Sequence, residues 1–261
     1  MVLKVGADPE LFIKDRSGIL VSGFSMIRGT KVHPFPVNKG AVQVDGIALE
    51  YNIDPATTVE DFVNNNCTVM RSLIKMIPPN LEFNIIPCVD ITPDFYKSQP
   101  DEAMMLGCEP SYNAYSEDVE KVSPLSHIRT AAGHLHLGWT DDTEANNAQH
   151  FFDCCALVKE LDVFYNVLTL HYSDIELEMK RKMLYGAAGS FRPKSYGVEY
   201  RALSNFWIKD EELMKKVFEI AQTVFNRMLT GEKLLSDIYT GRELDRVTKE
   251  QIEEVSSLVS I

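Results

Sequence analysis

Four short stretches of this chain combine a strand-like pattern with polar side chains that would share one face of a sheet. They begin at Gly6, Gly40, Gly133 and Gly197 and read GADPELFI, GAVQVDGIALEYNI, GHLHLGW and GVEYRALSNFW. Side chains two residues apart on a strand point to the same side. Charged and polar groups directed into a dry interior are costly unless they have partners. Packing alone does not explain four such strands, so the pattern predicts a sheet that lines a polar cleft.

Three of these stretches carry their polar pair at a spacing of two residues. The pairs are Asp8 and Glu10, His134 and His136, and Glu199 and Arg201. Pro9 lies between the first two acids and cannot donate a hydrogen bond to a neighbouring strand. We therefore expect the first strand, over residues 2–13, to lie at an edge of the sheet or to contain a bulge.

The stretch over residues 40–53 differs, because Asp45 and Glu50 would point to opposite faces of a regular strand. Gly46 between them predicts a bent strand or hairpin that turns both acids toward one cavity. The alternative is a turn at Asp45 and a Glu50 that pairs with a structural arginine. This stretch alone favours the two interpretations about equally.

Composition limits the class of protein. The chain has 261 residues, 45% of them hydrophobic and 25% charged, and a formal net charge of −12. These values are typical of a globular protein with a sizeable core, and the acidic balance argues against a general nucleic-acid-binding surface. The N-terminal residues show no secretory signal and no apolar run would span a bilayer, so we expect a cytoplasmic protein without a membrane partner.

The cysteines and the missing motifs exclude several kinds of chemistry. The five cysteines are Cys67, Cys88, Cys108, Cys154 and Cys155. Their odd number and the absence of C-x-x-C spacing favour reduced thiols over a disulfide framework or a zinc knuckle. The sequence has no G-x-S-x-G nucleophile motif, no G-x-x-x-x-G-K-[ST] loop and no G-x-G-x-x-G fingerprint, so a bound nucleotide would be held in another way.

The remaining pattern predicts an α+β fold in one compact domain. Capping boxes and apolar periodicity predict helices that begin near Thr57 and Ser173 and helices over 146–171, 210–229 and 247–259. We expect a curved, mainly antiparallel sheet with the helices packed on one side. A motif core would occupy about residues 1–207, and C-terminal helices would follow over 208–261.

Several carboxylates would meet in the cleft. The candidates are Asp8, Glu10, Asp45, Glu50 and Glu199. Converging acids raise one another's pKa values unless cations neutralise them, and Mg²⁺ typically binds a few carboxylates together with substrate phosphates. His134 or His136 could complete such a site. The alternatives for His-x-His are an ordinary strand pair or a zinc pair, although no nearby cysteine or acid completes zinc spacing.

The chain becomes locally basic between Lys180 and Arg201, where Glu199 is the only acid. Arg192 follows the glycine-bearing loop GAAGSFR, and Arg201 shares a strand face with Glu199. Guanidinium groups beside such a loop suit the geometry of phosphate oxygens. At least two of the cations over residues 180–182 are interpreted instead as part of a solvated helix face.

Four motifs in this order carry a family resemblance. GADPELF, GAVQVDGIALEYNI, RTAAGHLHLGW and YGAAGSFRPKSYGVEYRALSNFW together resemble the phage-type carboxylate–amine (COOH–NH2) ligases of type 2, which are relatives of glutamine synthetase and glutamate–cysteine ligase. The resemblance extends to about Trp207. It implies a single catalytic domain over residues 1–261, like the catalytic domain of glutamine synthetase, whose curved sheet binds ATP and two or more Mg²⁺ ions, with Mn²⁺ as the alternative.

The resemblance also implies roles for individual residues. The implied metal ligands are Asp8, Glu10, Asp45, Glu50, His134 and Glu199. Asp8 is a conservative departure, because the superfamily carries Glu-x-Glu on its first strand. The implied ATP-binding residues are Arg192, Lys194, Arg201 and His134. The implied catalytic residues are Arg201, Arg192, His136 and Glu50.

The implied reaction is the ATP-dependent joining of a carboxylate to an amine through an acyl phosphate, which gives an amide or peptide bond. Its partners would be small-molecule or peptide substrates, without nucleic acid, in the host cytoplasm if a phage encodes the chain. A homo-oligomer is a further possibility. Two alternatives also stay open: a metal-dependent amide hydrolase or amidotransferase, and a non-catalytic phage binding protein on the same fold. The arginines favour the ligase, because a simple hydrolase does not need them.

Overall fold

A computed structural model describes residues 1–104, 111–116, 118–119, 127–141, 143–145, 147–239 and 241–261. The strands are β1 (Lys4–Asp15), β2 (Leu20–Val21), β3 (Phe35–Val37), β4 (Gly40–Asp45), β5 (Ala48–Ile53), β6 (Leu81–Asn84), β7 (Cys88–Asp90), β8 (Tyr112–Asn113), β9 (Ile128–Thr130), β10 (Gly133–Gly138), β11 (Ser190–Lys194) and β12 (Gly197–Tyr200). The helices are α1 (Val59–Ile74), α2 (Pro93–Ser98), α3 (Asp101–Met104), α4 (Ala148–Tyr172), α5 (Ile175–Lys182), α6 (Glu211–Thr230) and α7 (Lys249–Leu258). Cys108 lies outside the described residues.

Ten strands form the main sheet in the described part of the chain. Its order is β3-β4-β5-β1-β10-β12-β11-β8, and β2 and β6 pair with the far end of β1. Each pair in this sheet is antiparallel, as is the separate pair of β7 with β9. The predicted α+β class with a mainly antiparallel sheet is therefore confirmed.

The first strand lies in the middle of the sheet, so the edge position predicted from Pro9 is wrong. β5 pairs with β1 where Glu50 lies opposite Glu10, and the next bridge joins Val5 to Ala56. The backbone N–H of Glu10 donates to the carbonyl oxygen of Ala132, just before β10. The backbone nitrogen of Pro9 therefore faces β5. From Val5 to Glu10 the chain advances by five residues, whereas from Glu50 to Ala56 it advances by six. The extra residue is a bulge, which the sequence predicted as the alternative to an edge. The missing N–H of the proline therefore interrupts no regular ladder.

One face of the sheet is apolar and packs on helices. Leu49, Leu135, Leu137, Phe191 and Val198 are fully buried on this face. α1 and α4 pack on it, and α6 packs on these two helices. The ring of Phe62 on α1 stacks on Trp207 at 5.8 Å between centroids. Burial of a side chain as large as Phe contributes about 1.5–3 kcal/mol. The helical layer therefore holds the sheet and leaves its opposite face to the polar side chains.

The helices begin at capping residues within a few positions of those predicted. Thr58 accepts a hydrogen bond from the Asp61 N–H at the start of α1, and Asp174 caps α5 in the same way. α4 is buried over most of its length, as its apolar pattern predicted, and it contains the buried Cys154 and Cys155. A single hydrophobic cluster includes residues from Leu3 to Val259.

Candidate active site

The polar pairs of four strands lie in register on the face of the sheet opposite the helices. Asp8 of β1 lies opposite His134 of β10. His136 lies opposite Glu199 of β12, which in turn lies opposite Arg192 of β11. Residues that stand opposite one another in antiparallel strands share a face. The side-chain alternation predicted for single strands therefore continues across the sheet.

The acids of residues 40–53 reach the same face through a hairpin. Glu50 lies opposite Gln43, and Gln43 is two residues from Asp45 on β4. Gly46 forms the turn with φ of +59°, and a Cβ there would lie 2.7 Å from the carbonyl oxygen of Ala103. The hairpin interpretation is confirmed. Of the alternative, the turn after Asp45 also holds, but the arginine found here, Arg129, pairs with Asp45 at 3.1 Å and not with Glu50.

Two groups of side chains on this face could each hold a cation. We call Glu10, Asp45 and Glu50 the acid cluster, and Asp8, His134 and Glu199 the mixed cluster. In each cluster the three ligand atoms lie within 4.8 Å of one another. The two clusters are neighbours, because Asp8 and Glu10 are two residues apart on β1. The structure thus brings together all six residues that the resemblance implied as metal ligands.

The acid cluster carries more negative charge than its surroundings neutralise. Burial, and then the charge of Asp45, raise the pKa of Glu10 from 4.5 to about 7. Burial and the charges of Asp8, Glu10 and Asp45 raise the pKa of Glu50 well above its ordinary value. One backbone donor, the N–H of Ala132, reaches Glu10 Oε2 at 3.1 Å. The arrangement therefore favours either a bound proton or a bound cation.

In the mixed cluster, positively charged neighbours favour the ionised form of the carboxylates. The Asp8 carboxylate lies between two imidazoles, with Oδ1 3.3 Å from His134 Nδ1 and Oδ2 3.2 Å from His136 Nε2. Burial opposes ionisation of Asp8, but the charges of His136 and His134 hold its pKa below the ordinary range. Burial, and then Arg201, lower the pKa of His134 to about 4. Asp8 outweighs burial at His136 and raises the pKa of that imidazole.

Three cations surround the carboxylate of Glu199. Arg201 donates to Oε1, Arg192 Nη1 lies 3.4 Å from the same atom, and Lys194 Nζ lies 2.8 Å from Oε2. Burial and Asp8 oppose ionisation of Glu199, but Arg201 and the histidines lower its pKa to about 2. The side chains of Arg192 and Lys194 are 17% and 31% exposed. These two cations can therefore reach an anion that enters from the open side.

In each histidine, the ring nitrogen that does not face Asp8 contacts a tyrosine hydroxyl. The hydroxyl of Tyr185 lies 3.0 Å from His134 Nε2, and that of Tyr196 lies 2.5 Å from His136 Nδ1. Tyr185 also accepts a hydrogen bond from Arg201. The sequence interpretation missed both tyrosines, as well as Arg129. The only signal for them is that all three lie within the motifs of the family resemblance.

The loop before β11 is fixed by a buried arginine. Arg181 is fully buried and donates to the carbonyl oxygens of Ala131, Ala202 and Leu203 at 3.0, 2.8 and 3.1 Å. Arg181 is therefore not part of a solvated helix face, whereas Lys180 pairs with Asp90 at the surface. A Cβ at Gly186 would lie 2.5 Å from the Arg181 guanidinium. The glycine thus allows the loop to approach Arg181 and places Tyr185 over the site.

A pocket opens beside the two clusters. Its volume is about 770 Å³, within the range for ligand pockets. Asp8, Glu50 and His136 line one side, and Trp139 and Tyr196 add aromatic surface. The clusters therefore border a space that can admit a ligand of moderate size.

The donor atoms fit hard divalent cations. Carboxylate oxygens are the preferred ligands of Mg²⁺ and Mn²⁺, and five of the six residues in the two clusters are acids. Asp8 Oδ1 is buried and makes no hydrogen bond, although His134 Nδ1 lies within ion-pair range at 3.3 Å. A cation would satisfy this oxygen. The face thus combines two candidate metal sites with the positively charged side chains of Arg192, Lys194 and Arg201. This arrangement suits a metal–phosphate group.

Part of the chain is similar in sequence to a family of ligases. Residues 129–246 match the family described as phage phiEco32-like COOH.NH2 ligase-type 2. The resemblance found from the motifs is therefore confirmed over these residues, and it supports a carboxylate–amine ligase. No curated protein matches the chain.

One solved structure that resembles this chain is described as apo GmaS without ligand. The match has 10% sequence identity and a TM-score of 0.48, and it covers 98% of this chain and 63% of the other. The chain thus spans less than two thirds of that structure's length. In the described part of this chain, no helix has the length and apolarity that a membrane crossing requires.

Proposed function

We propose that this protein is an ATP-dependent carbon–nitrogen ligase that joins a carboxylate to an amine through an acyl phosphate. The observation that carries the proposal is the sharing of one sheet face by two cation-ligand clusters and the cations around Glu199. A phosphoryl group in transfer needs charge neutralisation and positioning more than covalent help from the protein. These neighbouring groups could supply both.

The two clusters would hold magnesium, with manganese as the alternative. Glu10, Asp45 and Glu50 would provide oxygen ligands for one ion, and Asp8, His134 and Glu199 would hold another. The ions would supply charge neutralisation for the phosphates. The proposed single catalytic domain over residues 1–261 would use both clusters together, since they lie side by side across β1.

The fixed cations would orient the phosphate oxygens. Arg201 and Arg192 would present planar guanidinium groups, which can grip two oxygens at once. Lys194 would add a point charge from the open side. Each of them contacts Glu199, so they are held in place before a ligand arrives. Such preorganised donors stabilise charge that develops in a transition state.

The pocket would admit the nucleotide to this face. Its lining includes His136 at the polar end and Trp139 and Tyr196 as aromatic surface. His136 contacts Asp8 and Tyr196, so its ring is oriented from both sides. Glu50 at the pocket's border presents a carboxyl group to the space where a protonated amine would approach.

The two other functions predict different results. A metal-dependent hydrolase or amidotransferase would use the acids and histidines but not need Arg192 and Arg201. A non-catalytic binding protein would bind the nucleotide without turnover. The arginines and Lys194, held around one carboxylate, favour the ligase over the hydrolase.

The test is incubation of the protein with ATP, Mg²⁺ and a panel of amino acids and peptides, with products read by mass spectrometry. Amide formation that requires ATP and releases phosphate would support the proposal. Glu50→Gln should weaken Mg²⁺-dependent ATP binding in titration calorimetry, because it removes a ligand from the acid cluster. Glu82→Gln is the matched control, since Glu82 is an exposed acid on β6.

The contrary outcomes are specific. Amide cleavage without ATP would identify a hydrolase, and ATP binding without any amide product across the panel would favour a binding protein. ATP binding by Glu50→Gln that equals the wild type in the presence of Mg²⁺ would remove Glu50 from the metal site.

A further inference from the structure

The hydroxyl of Tyr185 joins two parts of the proposed site. It lies 3.0 Å from Nε2 of His134 and accepts a hydrogen bond from Nη2 of Arg201. The tyrosine ring also lies beside the Arg201 guanidinium, 5.4 Å from its centre. Tyr185 itself belongs to neither cluster. It is therefore placed to connect a candidate metal ligand with a candidate phosphate-binding arginine.

The direction of these hydrogen bonds follows from the donors available. A guanidinium can only donate, so the Tyr185 oxygen accepts from Arg201. The tyrosine keeps its own proton, which can be donated to His134 Nε2. A neutral imidazole then carries its proton on Nδ1, which lies 3.3 Å from Asp8 Oδ1 and 3.8 Å from Glu199 Oε1. In the metal-free protein, a directed chain of hydrogen bonds thus runs from Arg201 through Tyr185 to His134, whose Nδ1 proton faces the carboxylates.

A cation in the mixed cluster would reverse one link of this chain. The cation needs the lone pair of Nδ1, the nitrogen that faces Asp8 and Glu199. Nδ1 would then give its proton to solvent and Nε2 would take up a proton from solvent, so the ring would stay neutral. The protonated Nε2 needs an acceptor, and a metal-bound histidine is commonly oriented by the partner of its other nitrogen. A hydroxyl can serve as donor in the first state and as acceptor in the second.

We propose that Tyr185 is a positioning residue that orients His134 for metal binding and links it to Arg201. This inference rests on the proposed function. It adds a residue that none of the predicted ligands or phosphate contacts includes. Tyr185 holds the His134 ring in both protonation patterns, and it ties the position of Arg201 to the presence of the cation.

The surrounding structure supports a fixed position for this hydroxyl. Tyr185 is followed by Gly186, whose φ of +67° and close approach to Arg181 exclude a side chain. A second guanidinium, that of Arg181, also contacts the tyrosine ring, 5.6 Å from its centre. These contacts involve the ring and the backbone, so Tyr185→Phe keeps them and removes only the hydroxyl.

The experiment compares wild type, Tyr185→Phe and Tyr165→Phe. Tyr165 is a matched control, because its buried hydroxyl donates to the carbonyl oxygen of Val217 on the helical side of the sheet. The first readout is the ¹⁵N spectrum of the histidines in metal-free protein, with His134 assigned through His134→Gln. We expect an unprotonated Nε2 in the wild type, whose resonance moves in Tyr185→Phe and not in Tyr165→Phe.

The second readout is titration with Mn²⁺ alone and with Mn²⁺ plus ATP. Loss of an orienting partner of a metal-bound histidine typically weakens metal binding about 10- to 100-fold. We expect a loss of this size in Tyr185→Phe and a smaller enhancement of Mn²⁺ binding by ATP than in the wild type. Tyr165→Phe should match the wild type in both respects.

Each result separates this inference from the function on which it rests. A wild type that binds neither Mn²⁺ nor ATP would contradict the proposed function, and the metal-free spectrum would still decide the hydrogen bond. Unchanged His134 resonances in Tyr185→Phe, or Mn²⁺ affinity within about twofold of the wild type, would overturn the role of Tyr185. If Tyr185→Phe does not fold, a coupling between the tyrosine hydroxyl proton and Nε2 in the wild type decides the same point, and its absence counts against the inference.

Discussion

The acid cluster and the mixed cluster share a strand and a face of the sheet, yet their electrostatics are opposite. Burial raises the pKa of Glu10 to about 7, whereas Glu199, which is also buried, has its pKa lowered to about 2. The difference lies in their neighbours. Glu10 faces the charge of Asp45, while Glu199 lies beside Arg201 and the two histidines, which favour its ionised form.

This comparison separates the effect of burial from the effect of charge. Burial disfavours the ionised form in both clusters, so it cannot explain their difference. The protein supplies its own counterions to the mixed cluster and leaves the acid cluster short of them. We therefore expect the two clusters to respond in opposite ways when a carboxylate is removed.

The largest expected effect is on the mixed cluster. Glu199→Ala would leave Arg201, Arg192 and Lys194 around an empty position, and breaking a buried ion pair from one side costs about 3–5 kcal/mol. The free energy of unfolding in urea, without divalent metal, should fall by this amount. Glu50→Gln in the acid cluster should leave it unchanged or raised. A loss below about 1 kcal/mol in Glu199→Ala would show that the cations rearrange into solvent.

The next effect tests whether the cations of the mixed cluster act in chemistry as well as in stability. Arg201→Lys keeps the charge and loses the planar fork, so turnover should fall about 100- to 1,000-fold. ATP affinity should change less, because other donors would still hold the nucleotide. ATP-dependent amide formation and calorimetric ATP binding measure the two effects, with the surface variant Lys180→Arg as control. Turnover close to the wild type would exclude Arg201 from the chemical step.

The smallest effect concerns the pH dependence of the acid cluster. The pKa of Glu10 is higher in the folded protein, about 7, than its ordinary value of 4.5. The folded state therefore binds more protons between these values, and the contribution of Glu10 to stability falls as pH rises from about 4.5 to about 7. Above that range the loss is complete.

Glu10→Gln should remove this loss. Metal-free Glu10→Gln should gain stability relative to wild type between pH 5 and pH 8, by on the order of 1–3 kcal/mol. Urea unfolding at a series of pH values measures the difference, which cancels the titration of the other groups. Parallel pH profiles for the two proteins would show that Glu10 does not hold a proton in the folded state.

The sequence predicted those features that depend on local alternation. The spacing of two in Asp8 and Glu10, or in His134 and His136, is enough to place each pair on one face. Gly46 predicted the turn that brings Asp45 and Glu50 together. These predictions needed only the geometry of a strand and the freedom of a glycine.

The features that depend on distant pairing were not predicted. Pro9 predicted an edge or a bulge, because its missing N–H is a local property, but the sequence did not show that β1 is central or that the bulge faces β5. Arg129 reaches Asp45 from another strand. Tyr185 reaches His134 from a loop much later in the chain. No local pattern distinguishes these side chains from ordinary arginines and tyrosines.

The register of β1 with β10 has a consequence for folding. The hairpins β4–β5 and β11–β12 can form from nearby residues, but Asp8 meets His134 only after most of the first half of the chain has been closed into a loop. Pairing between such distant segments is slow relative to local contacts. During synthesis, the first three strands would leave the ribosome long before β12 is made. Each half of the cleft can thus arise early, while the joined cleft belongs to the last stage of folding.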